Sequence, residues 1–178
     1  MIGALVLAAC ARVVQPPMDG GGPSVPQLPP RPHDIRVDDL DLCSVLDDAD
    51  RALLGVFEGV YSSADAVIGD RCRWTHSPAE PIESFAVVRE TRYGAVAALA
   101  APRGATVEVI AGFATVFTQG IHDDPNRGCI ALIDVTDRKA LTVAYSYRGS
   151  SVPMTREIAC GKARTAAELV MGTILAQG

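Results

Sequence analysis

No apolar run in this 178-residue chain reaches the roughly 18 residues that a helical membrane span requires, so no segment can cross a bilayer as a helix. Basic residues are not in excess either. Lys and Arg number 16 against 21 Asp and Glu, a formal net charge of −5, whereas a nucleic-acid binder concentrates positive charge to neutralise phosphates. No nucleic-acid partner is expected. Aromatic residues make up only 5% of the chain, with a single Trp. Large rings are then core material first, as Tyr145 and Tyr147 read, and Trp74, Tyr93 and Phe113 line a ligand groove only if the core spares them. Hydrophobicity itself is not lacking. With 48% hydrophobic residues, 21% charged residues and a mean hydropathy of +0.20, the chain can bury enough surface to offset its ordering entropy, which excludes disorder throughout.

Catalytic signatures are also missing. There is no Gly-x-Ser-x-Gly elbow, and Gly149-Ser150-Ser151 runs into Val152-Pro153 rather than into a helix. A phosphate-binding loop and a His-Glu-x-x-His pair are absent, and Asp47, Asp48 and Asp50 lack the glycine and distal glutamate of a calcium loop. The densest polar cluster, His122-Asp123-Asp124-Pro125-Asn126-Arg127, is ordinary turn chemistry. No cofactor and no metal site are implied. A non-enzymatic binding, sensing or accessory domain is the leading expectation, and an envelope hydrolase assembled from distant segments is the alternative.

What is present begins at the N-terminus. The apolar stretch Ile2 to Ala9 leads into Leu7-Ala8-Ala9-Cys10, which resembles a bacterial lipobox: small residues admit a peptidase, and the Cys10 thiol accepts a diacylglyceryl group. A secretory signal also needs a basic n-region and a longer apolar core, so the true start is expected upstream of Met1. From Ala11 to His33 the chain carries seven of its twelve prolines and the triplet Gly20-Gly21-Gly22. Proline lacks a backbone donor and glycine carries the largest entropy cost, so this stretch reads as a tether. The expected organisation is a truncated signal over 1–10, a tether over 11–33 and one extracytoplasmic domain over 34–178, held to the cell membrane by lipid on Cys10. An envelope protein or a small ligand is the expected partner.

With Cys10 assigned to lipidation, Cys43, Cys72, Cys129 and Cys160 remain. Outside the cytoplasm four cysteines are expected as two disulfides, with three possible pairings. Separations of 29 and 31 residues favour neighbours in sequence. Zinc is disfavoured, because closely spaced ligand pairs are absent and His33, His76 and His122 have no helical relation to any cysteine. The run from Asp34 to Asp50 holds seven aspartates against Arg36 alone. Such runs usually solvate a helix approach, yet Asp38, Asp39 and Asp41 are the candidate contacts for a basic partner.

Periodicity supplies the fold class. Asp47 is placed to cap a helix that Gly55 stops. Cys72 to Trp74, Phe85 to Glu90, Thr106 to Ile110, Cys129 to Val135 and Leu141 to Arg148 read as strands, the last with clean alternation, and Asp137-Arg138-Lys139 as a hairpin turn. Ala95 to Ala101 suits a short helix. From Thr155 to Ala176, Cys160, Ala163, Ala167, Val170 and Ile174 form one helical stripe. The expectation is a single α+β domain: an antiparallel sheet of about five strands with an N-terminal and a C-terminal helix packed on it and two disulfides.

In this order, Asp41-Leu42-Cys43-Ser44-Val45-Leu46, Cys72-Arg73-Trp74, Ala111-Gly112-Phe113-Ala114, the Cys129 strand and Cys160 with Ala163 resemble the uncharacterised actinobacterial lipoprotein family catalogued as domain of unknown function 3558. The resemblance covers about Asp41 to Ala176. Asp47 stands where that family suggests threonine, and Ala111 where a first glycine is common. The resemblance implies an envelope location and a framework of cysteines, and no activity.

Overall fold

The computed structural model describes residues 27–63, 69–90, 93–100, 104–120, 124, 126–149 and 153–178. Cys10 and the cluster residues His122 and Asp123 lie outside them, as do Ser150 and Ser151. Seven strands form one antiparallel sheet: Val60–Ser62 (β1), Arg71–Thr75 (β2), Ile82–Glu90 (β3), Thr106–Ile110 (β4), Phe113–Gln119 (β5), Gly128–Asp134 (β6) and Ala140–Arg148 (β7). Their spatial order is β1-β2-β3-β7-β6-β5-β4. Two α-helices, Asp48–Leu54 (α1) and Arg156–Gln177 (α2), and a 3-10 helix at Ala95–Ala100 complete the described elements.

The expected sheet of about five strands is therefore too small by two. β5, with the sequence FATVFTQ, has its first five residues buried on both faces, so it shows no alternation for a period-two reading to find. β1 has three residues and an exposed edge position, too little for a hydrophobic pattern.

The helices also divide differently. α1 is built as its sequence suggests, with the Asp47 side chain accepting from the Asp50 amide at 2.8 Å, the Asp50 carboxylate accepting from the Asp47 amide at 3.4 Å, and Gly55 ending the run at φ 67°. Yet α1 has no buried residue. The apolar cover comes from the chain before it, where Val37, Leu42, Val45 and Leu46 are at most 1% exposed. The expectation of an N-terminal helix packed on the sheet is corrected to an irregular N-terminal segment that does so. α2 does pack on β6 and β7, through Ala159, Ala163, Ala166, Ala167, Val170, Met171 and Ile174. Side chains ending at Cβ bring its backbone close to the strands, and the Thr155 hydroxyl caps it by accepting from the Ile158 amide at 3.3 Å.

The disulfides pair neighbours in sequence, Cys43 with Cys72 and Cys129 with Cys160. Each ties a covering segment to a strand. A second, smaller core of Ala95, Val116, Leu132 and Ala140 lies beneath the 3-10 helix, and Leu28 packs against it. Residues 27–33, proline-rich in composition, thus lie along the domain.

β4 and β5 are joined by Ala111 and Gly112, with Ile110 paired to Phe113. Ala111 has φ 51° and Gly112 φ 89°, the left-handed pair of a two-residue hairpin turn. An L-residue pays roughly 1–2 kcal/mol for that conformation. Ala111→Gly is expected to raise stability by a net of about 0.5–1 kcal/mol after glycine's extra chain entropy, read as a melting-temperature increase of roughly 2–3 °C; an unchanged or lower melting temperature contradicts the strain.

Candidate functional site

The acidic run is largely committed to the fold. Arg31 reaches three carboxylates at once, Asp34 at 2.5 Å, Asp134 at 3.0 Å and Asp137 at 2.5 Å. Asp137 and Asp34 do most to hold the guanidinium proton above its ordinary range, and Arg31 in return holds the Asp137 carboxyl below its own. Lys139 donates to both oxygens of Asp38 at 2.5 Å and lowers the pKa of that carboxyl. Asp41 folds back to accept from the Cys43 amide at 3.0 Å. Asp47 and Asp50 cap α1, Asp48 pairs with Arg51, and Asp50 also accepts from Thr173. Of the three candidate partner contacts, Asp39 is the one whose side chain has no partner among the described residues. A groove of about 490 Å³ lies between Arg36–Asp38 and the β6–β7 turn, with the Asp38–Lys139 pair on its wall.

The aromatic candidates do not meet. Trp74 and Phe113 are 0% exposed core residues, separated by β3, β7 and β6, and Tyr93 is 44% exposed. Tyr145 and Tyr147 belong to the core. The Tyr145 hydroxyl is buried with no hydrogen-bond partner among the described residues; burial and then Glu83 push its pKa up. Lys162 pairs with Glu83 at 2.6 Å and lies 5.5 Å from the Tyr145 ring centre. In a second groove, of about 620 Å³ between β4, β5 and α2, Arg164 grips Glu108 with two hydrogen bonds, holds its carboxyl low, and lies over the Phe117 ring. In each groove a carboxylate of the wall is paired with a cation, Asp38 with Lys139 and Glu108 with Arg164.

Arginines without a carboxylate partner among the described residues also stand on the sheet. Register places Trp74, Phe85, Tyr145 and Cys129 in one row facing α2 and the N-terminal segment. The opposite face carries Arg73, Ala86, Ala144 and Ile130 in one row, Ser84 and Ser146 in the next, and Arg71, Val88 and Thr142 on the other side. The 3-10 helix covers its β5–β6 end. The rest is a shallow platform of small side chains. Arg71 donates to the Ser62 hydroxyl at 2.9 Å and Arg73 to that of Ser84 at 3.2 Å, which meets Ser146 at 2.7 Å. Neither has a carboxylate partner among the described residues, and nor does the exposed Arg148.

The cysteine framework, the Cys43–Leu46 cover and the alanine-lined last helix are now all in place. A family model described as Protein of unknown function (DUF3558) matches residues 5–173. The chain belongs to that family. No curated protein and no solved structure matches this DUF3558 chain. The disulfide cysteines and Trp74 belong to its core; the platform arginines were not singled out from the sequence. A signal for them existed, since Arg71-Cys72-Arg73-Trp74 alternates charge with core residues, which puts both arginines on one face of a strand. In the polar cluster of residues 122–127, Asp124 pairs with Arg127 at 3.1 Å. Among the described residues no group of three or more His, Cys, Asp or Glu is placed to hold a metal, and no helix is long and apolar enough to cross a membrane.

Proposed function

We propose that this DUF3558 protein is a lipid-anchored domain on the outer side of the cytoplasmic membrane that binds an envelope component and catalyses nothing. The observation that carries the reading is the cysteine arrangement. Four thiols are joined in two disulfides, bonds that persist in oxidising compartments, and the fifth, Cys10, stands in Leu7-Ala8-Ala9-Cys10 ahead of a proline-rich spacer. The polar groups support binding over turnover. The two described histidines have fold partners: His76 Nδ1 meets the Gly55 carbonyl at 2.6 Å, and His33 packs edge-on against Phe113. Glu83 and Glu108 are each paired with a cation, whereas Arg71, Arg73 and Arg148 of the sheet platform have no carboxylate partner among the described residues.

Intact mass of the protein extracted from envelopes is expected to exceed the peptide mass from Cys10 onward by acyl chains. An unmodified Cys10 removes the anchor from the reading. Turnover of ester, peptide or glycan substrates by the purified protein overturns the non-enzymatic part.

A further inference from the structure

The platform has a charge and a position that together indicate what lies against it. Arg71, Arg73 and Arg148 project from β2 and β7 on the face opposite α2, hydrogen-bonded among the described residues at most to hydroxyls. The carboxylates at strand positions of this face are Glu90 and Asp134, paired in register through Ala140 at the far end, where Arg31 already engages Asp134. Glu58 lies just before β1. The aspartates of 34–50, by contrast, belong to the segment whose Leu42, Val45 and Leu46 join the core on the other face. In a chain of net charge −5, three arginines of this face thus have no carboxylate partner among the described residues.

The edge next to the arginines is apolar. Val60, register partner of Arg73, is 70% exposed, and Phe57, shortly before it, is 62% exposed. Cations beside exposed aliphatic and aromatic side chains are the composition of a surface that settles at the boundary of headgroups and acyl chains. Residues 27–31, ahead of the segment that covers the core, lie on the platform side at its β5–β6 end. Leu28 packs against the small core that contains Val116 and Leu132, both on the platform face by register, and 16 residues separate Gln27 from Cys10. A lipid on Cys10 therefore tethers the domain through Gln27, on the face that also bears the arginines, and a short tether raises the effective concentration of that face at the bilayer.

We infer that the open sheet face bearing Arg71, Arg73 and Arg148, with Val60 and Phe57 at its edge, docks on anionic phospholipid headgroups and lays the domain flat on the membrane. This rests on the envelope placement above, but its test does not use the anchor, so the two fail separately: intact mass reports acylation and vesicle binding reports docking.

The test is sedimentation of the full, unacylated chain, disulfides intact, with vesicles of phosphatidylglycerol and phosphatidylcholine or of phosphatidylcholine alone. Each arginine near an anionic surface is worth about fivefold in partitioning. The triple variant Arg71→Gln, Arg73→Gln, Arg148→Gln is expected to bind the anionic vesicles on the order of 100-fold more weakly, while Arg138→Gln, on the β6–β7 turn, binds as the parent does. Far-ultraviolet circular dichroism is the check that the triple variant folds. Independently of any variant, binding of the parent is expected to fall steeply as salt shortens the screening length. Equal binding to both vesicle types, no binding to either, or undiminished binding by the folded triple variant overturns the inference. So does loss of a specific crosslink to an acidic envelope protein in the triple variant without any vesicle binding, which assigns the face to a protein partner.

Discussion

Reduction of both disulfides is expected to destabilise the protein by about 7 kcal/mol. Cys43–Cys72 and Cys129–Cys160 close loops of 29 and 31 residues, and releasing each restores about 3.5 kcal/mol of chain entropy to the unfolded state. Domains of this size are stable by only about 5–15 kcal/mol, so the loss is comparable with the whole. The bonds are placed where that entropy matters. Cys72 and Cys129 are 0% exposed on β2 and β6, and their partners lie in the N-terminal cover and in α2, so each bond fixes one covering layer to the sheet. Comparing the oxidised chain with the reduced and alkylated chain by thermal unfolding should show a fall of roughly 15–25 °C, or no folded state at physiological temperature. A shift of only a few degrees would mean that packing alone holds both layers.

The second large effect is expected at Trp74. Trp74→Ala should cost about 3–5 kcal/mol, the range for emptying a fully buried aromatic site. Trp74 is 0% exposed and faces Phe85 in register. Gly59 lies so close that a Cβ there would stand 2.6 Å from both the indole Nε1 and Cys72 Sγ, so the site has no slack in its native form and little nearby that could collapse into a void. Trp74→Phe separates volume from hydrogen bonding. The indole N–H has no partner among the described residues, so phenylalanine gives up volume and no hydrogen bond, and it should cost less than half as much. Urea unfolding of both variants checks this; a loss below about 1 kcal/mol for Trp74→Ala would place the indole outside the core.

Much of this fold could be read before it was seen, and the pattern of what could not is physical. Local chemistry was legible wherever it acts within a few residues: the Asp47 cap and Gly55 stop of α1, the alternation of Leu141 to Arg148, the three-and-four spacing of α2. β5 was hidden because a strand between β4 and β6 with apolar side chains on both faces has no period-two signal. The acidic run shows another limit. Seven aspartates in seventeen residues look like a strip for a basic partner, but Asp34 and Asp38 find Arg31 and Lys139, and Asp47, Asp48 and Asp50 serve the helix they begin. Lys139 is 101 residues from Asp38, and no spacing rule links them.

The candidate surface shows the same division. Arg71 and Arg73 share a strand face by alternation alone. That Arg148 joins them follows from β3 pairing with both β2 and β7, and that no layer among the described residues covers them follows from where α2 and the segment around Leu42–Leu46 pack. By itself the sequence determined the cysteine framework, the acidic and proline-rich segments, the α+β class and the membership in a family of unknown function, because each rests on composition or on contacts within one element. Tertiary structure alone decided the strand count, which segment covers the core, which aspartates are neutralised and which arginines stay free. Those depend on pairings between residues far apart in the chain, and their free energy exists only once the sheet has brought the partners together.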